Sequence, residues 1–111
     1  MPKGQFLAEF ELYVMSAVSL LGDEAYGVTI SREIEQRTGR PVAMGAIYAT
    51  LSRLEEKAYV AFTVSEPLPV QGGRARKYVR LTAAGRRALQ HSTAMLMRMI
   101  PALSAGHRGR R

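Results

Sequence analysis

The stretch that most constrains the fold of this chain is Ala43 to Tyr59, where a helical repeat of apolar residues gives way to an alternating one. The apolar residues recur at intervals of four, three and four, which is the period of one buried helical face. They are Ile47, Leu51, Leu54 and Ala58. After Tyr59 the apolar residues alternate (Val60, Phe62 and Val64), which is typical of a half-buried strand. The fold must therefore combine helices with at least one strand.

The opposite face of the helix predicted between Ala43 and Tyr59 contains no acidic residue before Glu55. It consists of small, hydroxylated or cationic residues, namely Gly45, Tyr48, Ala49, Ser52 and Arg53. A solvated helix face normally mixes both signs of charge, whereas an acid-free face is typical of a helix that enters the major groove of DNA. The alternative interpretation is an ordinary amphipathic helix of the core.

Two further helices are predicted upstream. The first, Gln5 to Leu21, has a wide apolar stripe, and Gly22-Asp23-Glu24 breaks it. The stripe comprises Phe6, Phe10, Tyr13 or Val14, Ala17 and Leu21, widened by Leu7, Val18 and Leu20. The second runs from about Val28 to Thr38 and ends at Gly39. With the tight connector Arg40-Pro41-Val42, the second and third helices form a helix-turn-helix pattern.

A basic β-hairpin is predicted after the third helix. The loop Pro67 to Gly73 can continue neither a helix nor a strand, and a second alternating segment spans Arg76 to Leu81. The tip and the returning strand contain only basic ionised side chains, namely Arg74, Arg76, Lys77 and Arg80. A basic hairpin directly after a helix-turn-helix is the wing of a winged helix. A solvated hairpin with incidental charge is the alternative.

The last predicted helix spans Ala83 to about Ile100, with Thr82 as its N-cap and Pro101 as its end. Its apolar stripe comprises Ala88, Ser92, Met95 or Leu96, and Met99, and its exposed polar residues are Arg86, Arg87, Gln90 and Arg98. We therefore divide the chain into a winged-helix domain (1–82), a C-terminal dimerisation helix (83–103) and a basic tail expected to be disordered (104–111). The predicted fold class is mainly α with a small β-hairpin (α+β).

A homodimer is predicted from the two terminal helices. One domain of this size cannot fully bury the apolar stripes of both its first and its last helix, so these helices are expected to meet those of a second copy. The predicted interface residues are Phe6, Phe10, Tyr13, Met95, Leu96 and Met99.

The charge distribution favours an anionic partner. The 111 residues have a net charge of +7 and a pI near 10.4, and every ionised side chain after Glu66 is basic. Such a balance favours nucleic acid first and a membrane surface second. The chain has no cysteine, no apolar run long enough to span a membrane and no signal-peptide pattern, so we expect a cytoplasmic protein that is not membrane-embedded.

Catalytic, metal and cofactor sites are not expected. His91 and His107 have no carboxylate close in sequence, and the acidic pairs Glu33/Glu35 and Glu55/Glu56 have no histidine at the spacing of metal ligands. Met95, Met97 and Met99 form either an adaptable ligand-binding surface or part of a dimer core, and the dimer core is favoured.

Four blocks of sequence resemble the PadR family of bacterial transcriptional regulators. They are Tyr26-Gly27, then Gly45-Ala46-Ile47-Tyr48-xx-Leu51-xx-Leu54-Glu55, then Gly73-Arg74-x-Arg76-Lys77-Tyr78, then Leu81-Thr82-xx-Gly85. The resemblance covers about Leu12 to Leu89. It implies a dimeric winged-helix repressor whose third helix lies in the major groove of double-stranded DNA and whose last helix pairs with the first helix of the partner subunit.

The resemblance also implies roles for individual residues. Tyr48 would contact a phosphate, and Arg74, Arg76 and Lys77 would be the wing contacts. From the exposed face of the third helix, Met44, Gly45, Ala49, Ser52 and Arg53 are candidates for the floor of the groove, with Arg53 able to reach phosphates instead. The predicted operator is pseudo-palindromic.

The chain departs from the family pattern at three points. Ala46 replaces a residue that often has a hydroxyl, and Ala58 stands where a glycine commonly closes the recognition helix. If Ala58 is left-handed, alanine costs about 1 kcal/mol relative to glycine. The short C-terminal region has no Trp to stack on a planar effector, so a small-molecule effector is left open. A winged helix that binds proteins, and an RNA-binding domain, are the alternative functions.

Overall fold

Four α helices and a two-stranded hairpin make up residues 7–64 and 76–108, which the computed structural model describes. In chain order the elements are α1 (Glu9–Leu21), a 3-10 turn (Gly22–Glu24), α2 (Gly27–Thr38), α3 (Met44–Glu56), β1 (Val60–Val64), β2 (Lys77–Leu81) and α4 (Ala83–Arg108). This is the helix-turn-helix and hairpin that the sequence predicts, and the predicted α+β winged-helix class is confirmed.

Helix α1 begins at Glu9, four residues later than the predicted start at Gln5. The Glu11 carboxylate accepts the backbone N–H of Ala8 at 3.1 Å, so the side chain of the first turn caps its own helix. Leu7 lies before the helix, and the predicted interface residue Phe6 lies outside the described residues.

The core lies where α1 packs against α2, α3 and the hairpin. Its largest fully buried side chains come from α1, α2 and α3, and they include Val14, Met15, Ile30, Ile47, Leu51 and Leu54. Three of the four apolar residues predicted for the buried face of α3 are therefore confirmed. The fourth, Ala58, is exposed, because α3 ends before it and the chain turns away.

An ion pair fastens α1 to the end of α3. Lys57, the C-cap of α3, donates from its Nζ to Glu11 Oε2 at 3.0 Å. The Glu11 side chain is only 8% exposed, so the pair is shielded from water on the carboxylate side. Lys57 also places a positive charge at the negative end of the helix dipole, where it is favourable.

The hairpin is antiparallel, with a register from Val60 opposite Leu81 to Val64 opposite Lys77. Val79 and Leu81 are buried, as the alternation of β2 predicts, whereas Val64 at the far end of β1 is 65% exposed. Val60, Phe62 and Val64 therefore do not form one uniformly buried face, because β1 extends beyond the core. On its other edge β2 is bonded to the chain before α2, since the Val79 N–H donates to the Ala25 carbonyl at 2.9 Å.

The end of α3 is a Schellman motif closed by a left-handed alanine. Ala58 has φ of 63°, so the condition under which alanine is costlier than glycine at this position is met. The Tyr59 N–H donates to the Leu54 carbonyl at 2.9 Å, and the Ala58 N–H donates to the Glu55 carbonyl at 2.8 Å. These are the two hydrogen bonds that define the motif, which usually requires glycine.

Thr82 connects the end of α3 to the start of α4. Its hydroxyl accepts the Gly85 N–H at 3.0 Å, which confirms the predicted N-cap, and donates to the Ala58 carbonyl at 2.6 Å. Its own N–H donates to the Tyr59 carbonyl at 3.0 Å. A Cβ on Gly85 would lie 2.8 Å from the Tyr59 carbonyl carbon and closer still to its oxygen, so only glycine fits there.

Helix α4 does not end at Pro101 as predicted but continues to Arg108. Proline has a φ that is compatible with a helix, so the helix can continue through it, although the missing N–H and the clash of the ring with the carbonyl four residues earlier cost about 3 kcal/mol. Residues 104–108 of the expected disordered tail are therefore helical, and the last three residues lie outside the described part of the chain. The predicted boundary between residues 103 and 104 falls inside one helix.

Only the first half of α4 packs on the rest of the domain. Ala88 and Ser92 are buried, and the Ser92 Oγ accepts the Leu7 N–H at 3.4 Å. Farther along, large apolar side chains are between 45% and 62% exposed, namely Leu96, Met97, Met99 and Ile100. These four residues thus present an apolar surface that the described part of the chain does not cover.

Candidate nucleic-acid interface

The outer face of α3 is exposed, as its sequence predicts. Its exposed residues are Gly45, Tyr48, Ala49, Ser52 and Arg53, while Met44 at the first turn is half-buried. The Tyr48 side chain is 52% exposed. The Arg53 guanidinium donates to the Thr50 hydroxyl at 3.1 Å, so this cation is directed along its own helix.

Tyr48 lies against the first residue of α2. A Cβ added to Gly27 would be 2.5 Å from the Tyr48 hydroxyl oxygen and 2.9 Å from the terminal carbon of Met44. A side chain at Gly27 would therefore have to displace the ends of the Tyr48 and Met44 side chains, and glycine lets both lie against the start of α2. This contact explains why a glycine follows Tyr26 in the sequence.

Gly45 is different, because nothing in the described fold requires a glycine there. A Cβ at this position would meet no atom within 4 Å in the described part of the chain. Glycine inside a helix costs about 1 kcal/mol relative to alanine. The residue leaves open space on the outer face of α3, where another molecule can approach the backbone.

The base of the wing is held by aromatic contacts. The Arg76 guanidinium lies 4.5 Å from the centre of the Tyr26 ring, and this ring meets that of Tyr78 edge to face at 5.5 Å. A hydrogen bond with the side chain of Tyr78 is the largest cause of a raised pKa of Arg76. The Lys77 ammonium lies 4.3 Å from the centre of the Phe62 ring. Arg74, the remaining wing residue, lies outside the described residues.

A groove of about 530 Å³ joins the wing to α2 and α3. Its lining comprises Tyr26, Gly27, Val28, Arg32, Tyr48, Arg76 and Lys77, and we call it the wing groove. Three residues predicted to bind DNA (Tyr48, Arg76 and Lys77) thus come together. Ala49, Ser52 and Arg53 do not line the groove, because they lie farther along α3.

Sequence reasoning missed Tyr26 and Arg32. The Tyr26-Gly27 pair was the available signal for the first, since a glycine beside an aromatic residue often marks a close contact. Arg32 has no such signal, because an exposed arginine in a helix is usually solvated. Only the packing of α2 against α3 places it in the groove.

The wing groove is suited to binding an anion. Arg32, Arg76 and Lys77 contribute three cations, and none of its lining residues in the described part of the chain is acidic. Gly27 and Val28 are the first residues of α2, so the groove also contains the positive end of a helix dipole. Tyr48 adds a hydroxyl that can donate a hydrogen bond to a phosphate oxygen.

Within residues 7–64 and 76–108, no three acidic or histidine side chains are grouped so as to bind a metal ion. Nor does any helix in this part of the chain combine the length and apolar character needed to cross a membrane.

Solved structures of transcription regulators have the same fold. One is a PadR family transcription regulator from Clostridium difficile, 21% identical, with a TM-score of 0.73 over 87% of this chain and 96% of that one. Another is a PadR family transcriptional regulator from Eggerthella lenta, 27% identical, with a TM-score of 0.66 over 86% and 84% of the two chains. A PadR-like transcriptional regulator from Bacillus cereus is 23% identical, with a TM-score of 0.66 over 85% and 89%.

A search of curated proteins found no match. The model of the PadR-like family of transcriptional regulators matches residues 18–91. This match covers α2, α3, the hairpin and the first part of α4, so it includes every residue that lines the wing groove. The resemblance drawn from the four sequence blocks is confirmed, and the chain belongs to the PadR-like family of transcriptional regulators.

Proposed function

We propose that this protein is a sequence-specific regulator that binds a pseudo-palindromic operator in double-stranded DNA as a homodimer and represses transcription by occupying it. The observation that carries the proposal is the wing groove, which Tyr48 of α3 lines together with Arg76, just before β2, and Lys77 of β2. Such a site matches one phosphate segment beside the major groove. The protein would act in the cytoplasm, where its DNA is.

The outer face of α3 supplies the base contacts in this proposal. Gly45 and Ala49 allow the helix backbone to approach the base edges closely, and the fold itself leaves the space above Gly45 open. Met44 can touch a thymine methyl group, and the Ser52 hydroxyl can bond to either kind of base. Arg53 reaches phosphates or bases from the third turn.

The homodimer is supported by apolar surface at both ends of the chain. Phe10 and Tyr13 of α1 are only half-buried, and Leu96 and Met99 of α4 are 45% and 62% exposed. Met95 is half-buried. If the second half of α4 packs on the α1 of a partner, both surfaces are removed from water. This burial stabilises the dimer by about 25 cal/mol for each Å² of apolar area.

The wing groove is tested by measuring the affinity for the operator as a function of salt. Tyr48→Phe should weaken binding about fivefold, the worth of one hydrogen bond of about 1 kcal/mol, without changing the preferred site. Arg76→Gln and Lys77→Gln should each reduce the slope of log affinity against log salt by about one. A changed sequence preference with an unchanged salt slope would show that the wing reads bases instead.

The position of α3 is tested by Ala49→Glu. This exposed side chain would bring a negative charge to the DNA, so binding should be abolished while the circular dichroism spectrum stays that of the wild type. Ala94→Glu, at an exposed position of α4, is the matched control. Normal DNA binding by Ala49→Glu would exclude α3 from the groove and favour a protein-binding function.

The dimer is tested by Met95→Glu/Met99→Glu. Sedimentation should show a monomer, and operator binding should fall with it, because one subunit then contacts only a half-site. Ala94→Glu introduces the same kind of charge at an exposed position on another face of α4 and should leave a dimer. A wild-type protein that sediments as a monomer at micromolar concentration would refute this part of the proposal.

A further inference from the structure

Helix α4 has a cationic surface that is separate from the wing groove. Arg87, His91 and Arg98 follow one another at spacings of four and seven residues, which places them within about 40° of one another around the helix axis. All three are exposed. We call them the basic stripe. The buried residues Ala88 and Ser92 lie roughly a quarter turn away, so the stripe does not face the core of its own domain.

The composition of α4 is unusual for a solvated helix. From Ala83 to Arg108 it contains no acidic residue. Arg87 and Arg98 take part in no ion pair with the described residues. Solvated helices usually place opposite charges three or four residues apart, and these pairs stabilise the helix.

The first turn of α4 also lacks the acidic side chains that usually stabilise the start of a helix. The positive end of the helix dipole favours acidic side chains in the first turn, and here the first turn has none. Arg86 and Arg87 follow it directly instead. Such a local conflict between sequence and helix stability is expected where a residue serves a function.

The wing groove does not account for these cations. Its lining comes from α2, α3, β2 and the residue before each of α2 and β2, and no residue of α4 contributes. The first half of α4 packs on the domain through Ala88 and Ser92. Arg87 and Arg98 therefore lie outside the lining that is proposed to hold the first duplex.

We propose that the basic stripe of α4 binds the phosphate backbone of a second DNA duplex, so that one regulator holds two duplexes together. This inference rests on the proposed function, because the wing groove holds the first duplex. Arg87 and Arg98 are eleven residues apart, or about 16 Å along the helix, which is close to half a turn of duplex DNA. Duplex DNA offers a dense and uniform row of charges, about one per 1.7 Å of its axis. Two exposed arginines on one helix face, with no acid between them, fit that partner, and binding to it is independent of sequence.

The test is a two-duplex capture experiment with the full-length protein. An operator duplex is fixed to a surface and saturated with protein, and a labelled duplex that lacks the operator sequence is then passed over it. The wild type should retain the labelled duplex, and retention should fall steeply with salt. Arg87→Gln/Arg98→Gln should retain at least tenfold less of it and should bind the immobilised operator like the wild type.

The matched control is Arg37→Gln/Arg40→Gln, which removes the same number of exposed cations from α2 and its connector. It should capture the second duplex like the wild type. Equal losses in both double variants would mean that net charge alone is responsible, which overturns the inference. Failure of the wild type to retain a second duplex would also overturn it, while leaving the proposed function intact.

A third result would assign the stripe differently. If Arg87→Gln/Arg98→Gln weakens binding of the immobilised operator itself and lowers its salt slope, the stripe contacts the first duplex and the inference is wrong. If the wild type binds no operator at all, the proposed function fails, and this inference fails with it.

Discussion

Replacing Ala58 by glycine should stabilise the protein. Ala58 has φ of 63°, and the left-handed conformation costs an L-residue with a Cβ about 1–2 kcal/mol. Glycine removes that cost, but it also gives the unfolded chain more conformational entropy, which lowers the free energy of unfolding by about 0.4–1 kcal/mol. The net gain should be about 1 kcal/mol, or a rise in Tm of about 3–6 °C for a domain of this size.

The stabilisation should be measured by thermal and urea denaturation followed by circular dichroism at one fixed protein concentration. The fixed concentration matters because the stability of a dimer depends on it. The hydrogen bonds of the Schellman motif should persist, since Ala58 takes part in them only through its backbone.

Ala49→Gly provides the matched control, because it makes the same chemical change at an exposed site in the middle of α3. There glycine should destabilise the protein by about 1 kcal/mol, since the backbone is already helical. If Ala58→Gly also lowers the Tm, the strain at the end of α3 is not released by glycine, and the reasoning from the dihedral angle is refuted.

Three further predictions follow from individual contacts. Gly27→Ala should displace the Tyr48 ring, so operator affinity should fall by more than Tyr48→Phe lowers it; an equal or smaller loss would mean that the two helices adjust. Gly85→Ala should cost at least about 2 kcal/mol in urea denaturation, because its Cβ overlaps a backbone carbonyl that cannot move alone. Glu9→Ala should lower the pKa of Tyr13 towards its usual value in a spectrophotometric titration, because the hydrogen bond to Glu9 is the largest cause of its raised pKa; an unchanged titration would contradict that cause.

The elements of the fold follow from local patterns in the sequence, but the first residue of α1 and the last residue of α4 do not. The spacing of Ile47, Leu51 and Leu54 predicts the buried face of α3, and Thr82 predicts the start of α4, because caps and periodicity act over a few residues. The start of α1 and the end of α4 were wrong. Glu11 caps α1 from within, and Pro101 has a φ that is compatible with a helix, so α4 continues through it in spite of the local cost of a proline.

Contacts between distant parts of the chain were the least predictable. Glu11 is charged and was not expected in the core, but Lys57, 46 residues away, balances its charge there. The wing groove was predicted only in part for the same reason. Tyr48, Arg76 and Lys77 were identified from the local charge pattern and the family resemblance, whereas Arg32 joins them only through the packing of α2.

The junction at Thr82 makes the angle between α3 and α4 a fixed property of the backbone. Three hydrogen bonds and one glycine without room for a side chain hold the end of one helix against the start of the other. In a dimer joined through α4, the distance between the two α3 helices would depend on the angle between α3 and α4 at this junction. The junction would then determine the spacing between the two half-sites of the operator, while the exposed face of α3 would determine the base sequence recognised in each half-site.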